Sequence, residues 1–381
     1  MTANFYLTGK LLEIEGRIFN NTKRKVMNRK NILTVFLILF MISSCSNTGN
    51  YYTDTPAESD QTMVVYEGRL LNIFFHPVVA RPEIAFTGRK KDHFLEWFVT
   101  ADEYKRILHE MYMDNYVLIN IDEFYDVTYT NGIKRVTAKK LLVPEGKKPF
   151  ILSIDDLNYY EYMRNNGIVH KLVIDKNGKL AAWTANAGGG ELSYDSDIIT
   201  ITEDFIKLHP DFSVRGARGI IALTGFEGVF GYQTQRKNAP GYPKEEEGAI
   251  AVANKLKEMG WRFASHSYTH WSMPDISMES FLYDTNTWDS DVRSILGDTD
   301  LYIYPFGNGV EAQQDKHRVL RERGFNLFFD VGHGWNYYQR TGYILINRRN
   351  IDGFYFREYR NRRDRLFDID KVIDKKYRTA S

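Results

Sequence analysis

The chain has 381 residues, 43% of them hydrophobic, and a formal net charge of +1. That is enough for one large domain or two small ones. The even balance of 50 basic and 49 acidic residues excludes the pervasive basic excess of a nucleic-acid binder, and a single cysteine, Cys45, excludes an intramolecular disulfide. Aromatic residues make up 14%, which suits either a Tyr/Phe-heavy core or a cleft that binds sugar rings.

The N-terminal part reads as a targeting segment. Lys23, Arg24, Lys25, Arg29 and Lys30 precede the apolar run "ILTVFLILFMI", followed by Ser43, Ser44 and Cys45. A basic region, a short apolar region and small residues are the pattern of a secretory signal. The run is short for a membrane span. "ISSC" resembles a bacterial lipobox, so residues 27–44 are expected to be a lipoprotein signal peptide and Cys45 the lipidated residue. "MNRKNILTVF" is a complete signal start, so residues 1–26 are expected to be a misassigned extension. The polar stretch 45–62 reads as a flexible tether, so residues 63–381 are expected to form one extracytoplasmic domain held at a bacterial membrane.

From there strand-like and helix-like segments alternate. "LLNIFF" reads as a strand. In "TADEYKRILHEMY", Thr100 and Glu103 have capping-box spacing, and Tyr104, Ile107, Leu108 and Met111 share one helical face. "YVLINI" and "FILSI" are strands, and "VHKLVIDKNGKLAAWTA" is a hairpin turning at Asn177–Gly178. "ITEDFIKLHP" is helical, "GIIALTG" a strand, "KEEEGAIAVANKLKEMG" a helix, and "WRFAS" a strand leading into "HSYTH". "DLYIYPFG", "FNLFFD" and "YILIN" are the late strands, with the helix-like "EAQQDKHRVLRERG" between the first two. Repeated βα units predict an α/β fold with a mainly parallel sheet, closed into a distorted (β/α) barrel. The basic "REYRNRRDRLF" reads as a solvated helix face or a contact with anionic polymer.

In such barrels the chemistry sits at the C-terminal ends of strands. Asp155 and Asp156 end one strand, His76 another and His266 a third, and Pro305 to Gly307 follow a fourth. "DD" alone could be a solvent-facing turn with one aspartate capping a helix. His266 and His270, four residues apart, project from one face if the segment is a helical turn. With a carboxylate at another strand end they form a His/His/carboxylate set suited to a catalytic divalent metal. Two adjacent carboxylates are costly unless compensated. A cation on one of them offsets the pair and acidifies water, leaving the other free to take a proton.

"SIDD", "HSYTH" and "YPFG", in that order and each after a strand, resemble the motifs of the polysaccharide deacetylase (NodB-homology) superfamily, carbohydrate esterase family 4, over roughly residues 66–351. The resemblance implies Asp155 as general base and Asp156, His266 and His270 as metal ligands. The metal is zinc first, with cobalt, nickel, manganese and iron fitting the same donors. Leu157 replaces the usual glycine of the first motif. Ile303 stands where many members carry an arginine that tunes the base. The Phe306 N–H is the candidate oxyanion donor, with Tyr304 and Pro305 beside it.

The last motif usually brings a histidine acid, yet "YILINRRN" has none. "NIFFHPVV" resembles the N-terminal segment of the poly-N-acetylglucosamine deacetylases, implying His76 as the acid; a strand-end histidine bonded to backbone is the plain alternative. His333 is the rival acid, Asp330 a candidate to orient an imidazole, and Trp335 a candidate wall of the sugar cleft. Residues 157–265 read as a long insertion between the first and second motifs: "GIIALTG" within it resembles the family's usual next strand, and the remainder, including "WTANAGGGELSYD" and "GFEGVFGYQTQ", reads as extra loops around that cleft.

The implied activity is removal of N-acetyl groups from an N-acetylhexosamine polymer, either peptidoglycan or a secreted glycan, by an enzyme tethered to the membrane through lipid. O-deacetylation or small-amide hydrolysis on the same scaffold is one rival. A surface glycan-binding lipoprotein without turnover is the other.

Overall fold

A computed structural model describes residues 62–378, Ala312 apart. The signal, Cys45 and tether assignments therefore lie outside the described residues. Seven parallel strands close into a barrel: β1 (Leu71–Phe75), β2 (Lys148–Asp155), β3 (Ile220–Leu223), β4 (Arg262–Ser265), β5 (Leu301–Ile303), β6 (Leu327–Val331) and β7 (Tyr343–Asn350). Their order around the barrel is their order in the chain. Leu71 of β1 pairs with Phe150 of β2, Ala222 of β3 with Asp155 of β2, and Arg349 of β7 with Ile73 of β1, which closes the ring. The expected α/β barrel is present. No helix among the described residues is long and apolar enough to cross a membrane.

Side chains alternate across each strand, and the core divides accordingly. Ile151, Ile220, Leu301, Ile303, Phe329 and Ile346 fill the barrel lumen in one buried cluster. The intervening residues, such as Leu152, Ile221, Tyr302 and Phe328, pack outward against the helices in another. Continuing the lumen face upward, Ile151 leads to Ser153 and Asp155, and Ile346 to Arg348. The top of the lumen is therefore polar, and two strands deliver opposite charges to it.

The helix Ala101–Met113 begins with the expected capping box. Thr100 accepts from the Glu103 N–H at 3.0 Å, and the Thr100 N–H donates to the Glu103 carboxylate at 2.9 Å. Tyr104, Ile107, Leu108 and Met111 are buried on its inner face, each contributing about 1.5–3 kcal/mol of apolar burial.

Several expectations need correction. Residues 157–265 hold the expected strand "GIIALTG" and more regular structure than loops. They contain two ordinary barrel units, with helices Ile198–Leu208 and Tyr242–Glu258 flanking β3. The true addition is a three-stranded antiparallel sheet, Lys171–Ile174, Leu180–Thr184 and Glu191–Ser193, whose first turn is the expected one at Gly178. "HSYTH" is not helical. It is a loop with Ser267 at φ 59 and His270 at φ 58, a conformation that puts the two imidazoles together without helical spacing. The sequence reading also passed over two hairpin elements. Tyr125–Thr130 pairs with Ile133–Ala138 around Asn131–Gly132, and Tyr337–Arg340 folds back on β7.

Candidate metal and hydrolytic site

The two aspartates part at the end of β2. Asp155 continues the strand toward the lumen. Asp156 turns at φ 62, a left-handed conformation that short polar residues tolerate better than most. Adjacent carboxylates thus acquire different partners.

Asp155 is gripped by Arg348 of β7. The guanidinium donates at 2.7 Å to Oδ1 and 2.8 Å to Oδ2, a bidentate pair. It also donates to Ser153 Oγ at 2.9 Å and lies 4.3 Å from the Phe74 ring centroid. Both residues are buried. Burial pushes the Asp155 carboxyl up, but Arg348 and His266 outweigh it and hold the group below the usual carboxylate value. This corrects the expectation that Asp155 is free and that a metal alone offsets the pair. Arg348 was missed. Its signal was visible: an arginine on the inward-facing register of an apolar strand needs a buried anion.

Asp156 faces the two imidazoles. His266 Nε2 stands 3.8 Å from Oδ1 and His270 Nε2 3.8 Å from Oδ2. Tyr160 donates its hydroxyl to Oδ1 at 2.7 Å. Burial raises the Asp156 carboxyl, and His270 and His266 more than reverse it. His266 Nδ1 lies 2.8 Å from the Ile303 carbonyl. A carbonyl only accepts, so Nδ1 carries the proton and Nε2 presents a lone pair, the arrangement usual for a ligating histidine. Burial holds the His266 pKa below its ordinary value against the opposing pull of Asp155, Asp156 and the Ile303 carbonyl, favouring the neutral form a metal needs.

One donor atom from each of Asp156, His266 and His270 falls within 4.8 Å of the others. Tetrahedral ligands at a zinc distance are separated by about 3.4 Å, so a small contraction would seat an ion. The donor set fits a divalent metal. Asp284, buried on the helix Met278–Asp291, clamps the histidine loop by accepting from the Tyr268 and Thr269 N–H groups at 2.9 and 2.8 Å. Sequence reasoning missed it, because nothing local marks a helix-interior aspartate as a loop clamp.

A cavity of about 870 Å³ opens over these groups. His76, Tyr304 and Phe306 line it. His76 Nδ1 lies 3.2 Å from the Trp97 carbonyl, so this histidine is both backbone-bonded and exposed to the cavity. Phe306 sits at φ 59, ψ 6 in the turn Pro305–Gly307, its ring 4.6 Å from that of His270. Its N–H has no backbone acceptor among the described residues. Pro305 is buried beneath the turn. Phe226 and Glu227, from the segment expected to supply cleft loops, also line the cavity.

Three further assignments separate from the site. Asp330 accepts from the Asn347 amide and bonds no imidazole among the described residues. His333 is exposed and outside the cavity lining, and Trp335 is half-buried against the core rather than on the cavity wall. The hairpin between β6 and β7 carries that segment away from the mouth. The aromatic walls come instead from Trp97, Phe98, Tyr160, Tyr162, Phe226 and Phe354.

A parallel barrel with an Asp–His–His set, Asp156 and His266 buried and His270 half-buried, and a second ionised aspartate at one mouth defines a candidate metallohydrolase site. No family model matches the chain, and no curated protein does. Among solved structures it is similar to a candidate polysaccharide deacetylase of Bacillus anthracis, at TM-score 0.44 and 11% identity over 82% of this chain and 71% of that one. It is also similar to the Streptococcus pyogenes deacetylase PplD in complex with acetate, at TM-score 0.40 and 12% identity over 76% and 94%. IcaB from Ammonifex degensii overlaps at TM-score 0.41 and 12% identity over 74% and 92%. These overlaps are loose, so the barrel assignment rests on the strand pairing and the chemistry on the side chains.

Proposed function

We propose that this chain is a metal-dependent polysaccharide deacetylase that hydrolyses the N-acetyl groups of an N-acetylhexosamine polymer. The observation that carries the reading is the pairing of an Asp156–His266–His270 donor set with a neighbouring carboxylate, Asp155, held ionised by Arg348. A divalent ion bound there, zinc first, would supply Lewis acidity toward the acetamide carbonyl and the attacking water.

The chain's own residues do the rest. Asp155 takes the proton of the water whose oxygen adds to the acetamide carbon. The bidentate grip of Arg348 fixes its orientation and keeps it anionic. The Phe306 N–H donates to the oxyanion that develops on the carbonyl oxygen. His76, its Nδ1 committed to the Trp97 carbonyl, gives a proton from Nε2 to the nitrogen as the C–N bond breaks. Acetate and a free amine leave. The aromatic walls of the cavity suit sugar rings.

Acetate release from N-acetylglucosamine oligomers by the zinc-supplied protein tests this. Release that disappears in Asp155→Asn and on chelation is the expected result. Stoichiometric metal binding without release from any acetylated glycan would defeat the deacetylase reading. We further propose that Cys45 is lipidated and holds the enzyme at the outer face of the cytoplasmic membrane. Mass spectrometry of the mature N-terminus should find a diacylglyceryl cysteine, and an unmodified peptide spanning residues 40–50 would refute it.

A further inference from the structure

The cavity has an arm that hydrolysis leaves unused. Lys90 caps the helix Lys91–Trp97, and Lys90, His93 and Trp97 are spaced by three and four residues. That spacing puts them on one helix face, and all three line the cavity. Trp97 stacks with Phe354, ring centroids 6.0 Å apart and planes within 11°. The pair makes a flat apolar platform, and Trp97 remains 38% exposed. His93 packs its ring on Tyr162 and Phe98 at 5.6 and 5.7 Å. The Lys90 Nζ stands 5.7 Å from the Tyr162 centroid and forms no ion pair among the described residues.

The acidic groups of the same cavity are already engaged. Asp155 is held by Arg348. Asp156 faces the two imidazoles. Asp352 accepts from the Asn350 amide and the Tyr355 N–H. Glu227 accepts from the Glu161 N–H and stands 3.9 Å from Arg164. The arm therefore presents an uncompensated cation beside an aromatic platform. A neutral sugar would use the platform and leave the cation idle.

Resting on the deacetylase reading, we propose that this arm selects a glycan with an anionic substituent. One sugar ring lies on Trp97 and Phe354, and its carboxylate or phosphate faces Lys90. The reaction centre then acts on the acetamide of a neighbouring residue of the polymer.

The test uses the full-length, zinc-loaded protein and three oligomers of equal length. One is neutral N-acetylglucosamine, one alternates with carboxylate-bearing N-acetylmuramic acid, and one carries sugar phosphate. Calorimetry reads binding and acetate release reads turnover. At least one anionic oligomer should bind about fivefold more tightly than the neutral one, as one exposed charge pair allows. High salt should erase the difference, and Lys90→Gln should abolish it. The carboxylate and phosphate arms identify which anion is read. Equal binding of all three, or a preference that survives in Lys90→Gln, would overturn the proposal. Acetate release from none of them, with the Lys90-dependent preference intact, would instead defeat the deacetylase reading and leave the anion arm standing.

Discussion

Replacing Arg348 with Met should reverse the way acidity acts on Asp155. In the native protein the guanidinium holds the carboxyl below its ordinary pKa against the opposing push of burial. A depressed folded-state pKa contributes stability that is present above the unfolded pKa and is lost as pH falls through the folded one. Without Arg348 the burial contribution dominates and the carboxyl rises above its unfolded value. Its contribution then survives in acid and disappears as pH rises. Both partners are almost fully buried, with side chains 2% and 5% exposed. Removing one partner of such a pair costs about 3–5 kcal/mol. The cost should be near its full size at neutral pH, where Asp155 must be either charged and unpaired or protonated against the solution. It should shrink toward pH 4. Asp155→Asn combined with Arg348→Met should recover most of the loss, since no buried charge remains. Urea denaturation of the metal-free protein at both pH values, run as a double-mutant cycle, cancels the titration of the neighbouring histidines. A loss of equal size at both pH values, with no recovery in the double variant, would show that the Arg348–Asp155 pair is not what sets the charge of Asp155.

Two further outcomes follow from the site. Asp284→Ala should weaken zinc binding about 10- to 100-fold, the usual effect of releasing a support behind a ligand, because the loop carrying His270 loses two backbone anchors. Competition with a chromogenic chelator reads this, and unchanged affinity would mean the loop holds itself. His76→Gln should lower kcat about 10²- to 10⁴-fold while zinc still binds stoichiometrically. A variant with normal turnover would return His76 to a backbone-bonded structural role.

The barrel was legible because its signal is local and repeated. Short apolar runs bounded by turns recur, and helices between them carry one apolar face, as in Ala101–Met113. The metal donors were legible because "DD" and "HSYTH" are contiguous in sequence. The reason first given for the histidine pair was wrong, however: positive φ at Ser267 and His270 unites them, not a helical turn. What the sequence hid is long-range. Arg348 meets Asp155 across 193 positions, and Asp284 reaches the loop from the side of a helix. Trp335 and His333 were misplaced because the hairpin Tyr337–Arg340 went unseen, so its approach segment was read as part of the mouth.

The last barrel strand supplies the counter-ion for a carboxylate laid down near the start of the barrel. A chain emerging from synthesis presents β2 and the histidine loop before β7, and until β7 follows Arg348 cannot reach Asp155. Its charge state becomes that of the finished protein only when β7 docks against β1 and the ring shuts. Completion of the fold and readiness of the reacting carboxylate are therefore one event. A truncation that ends before β7 would keep Asp156, His266 and His270 and lack the cation that holds Asp155 ionised.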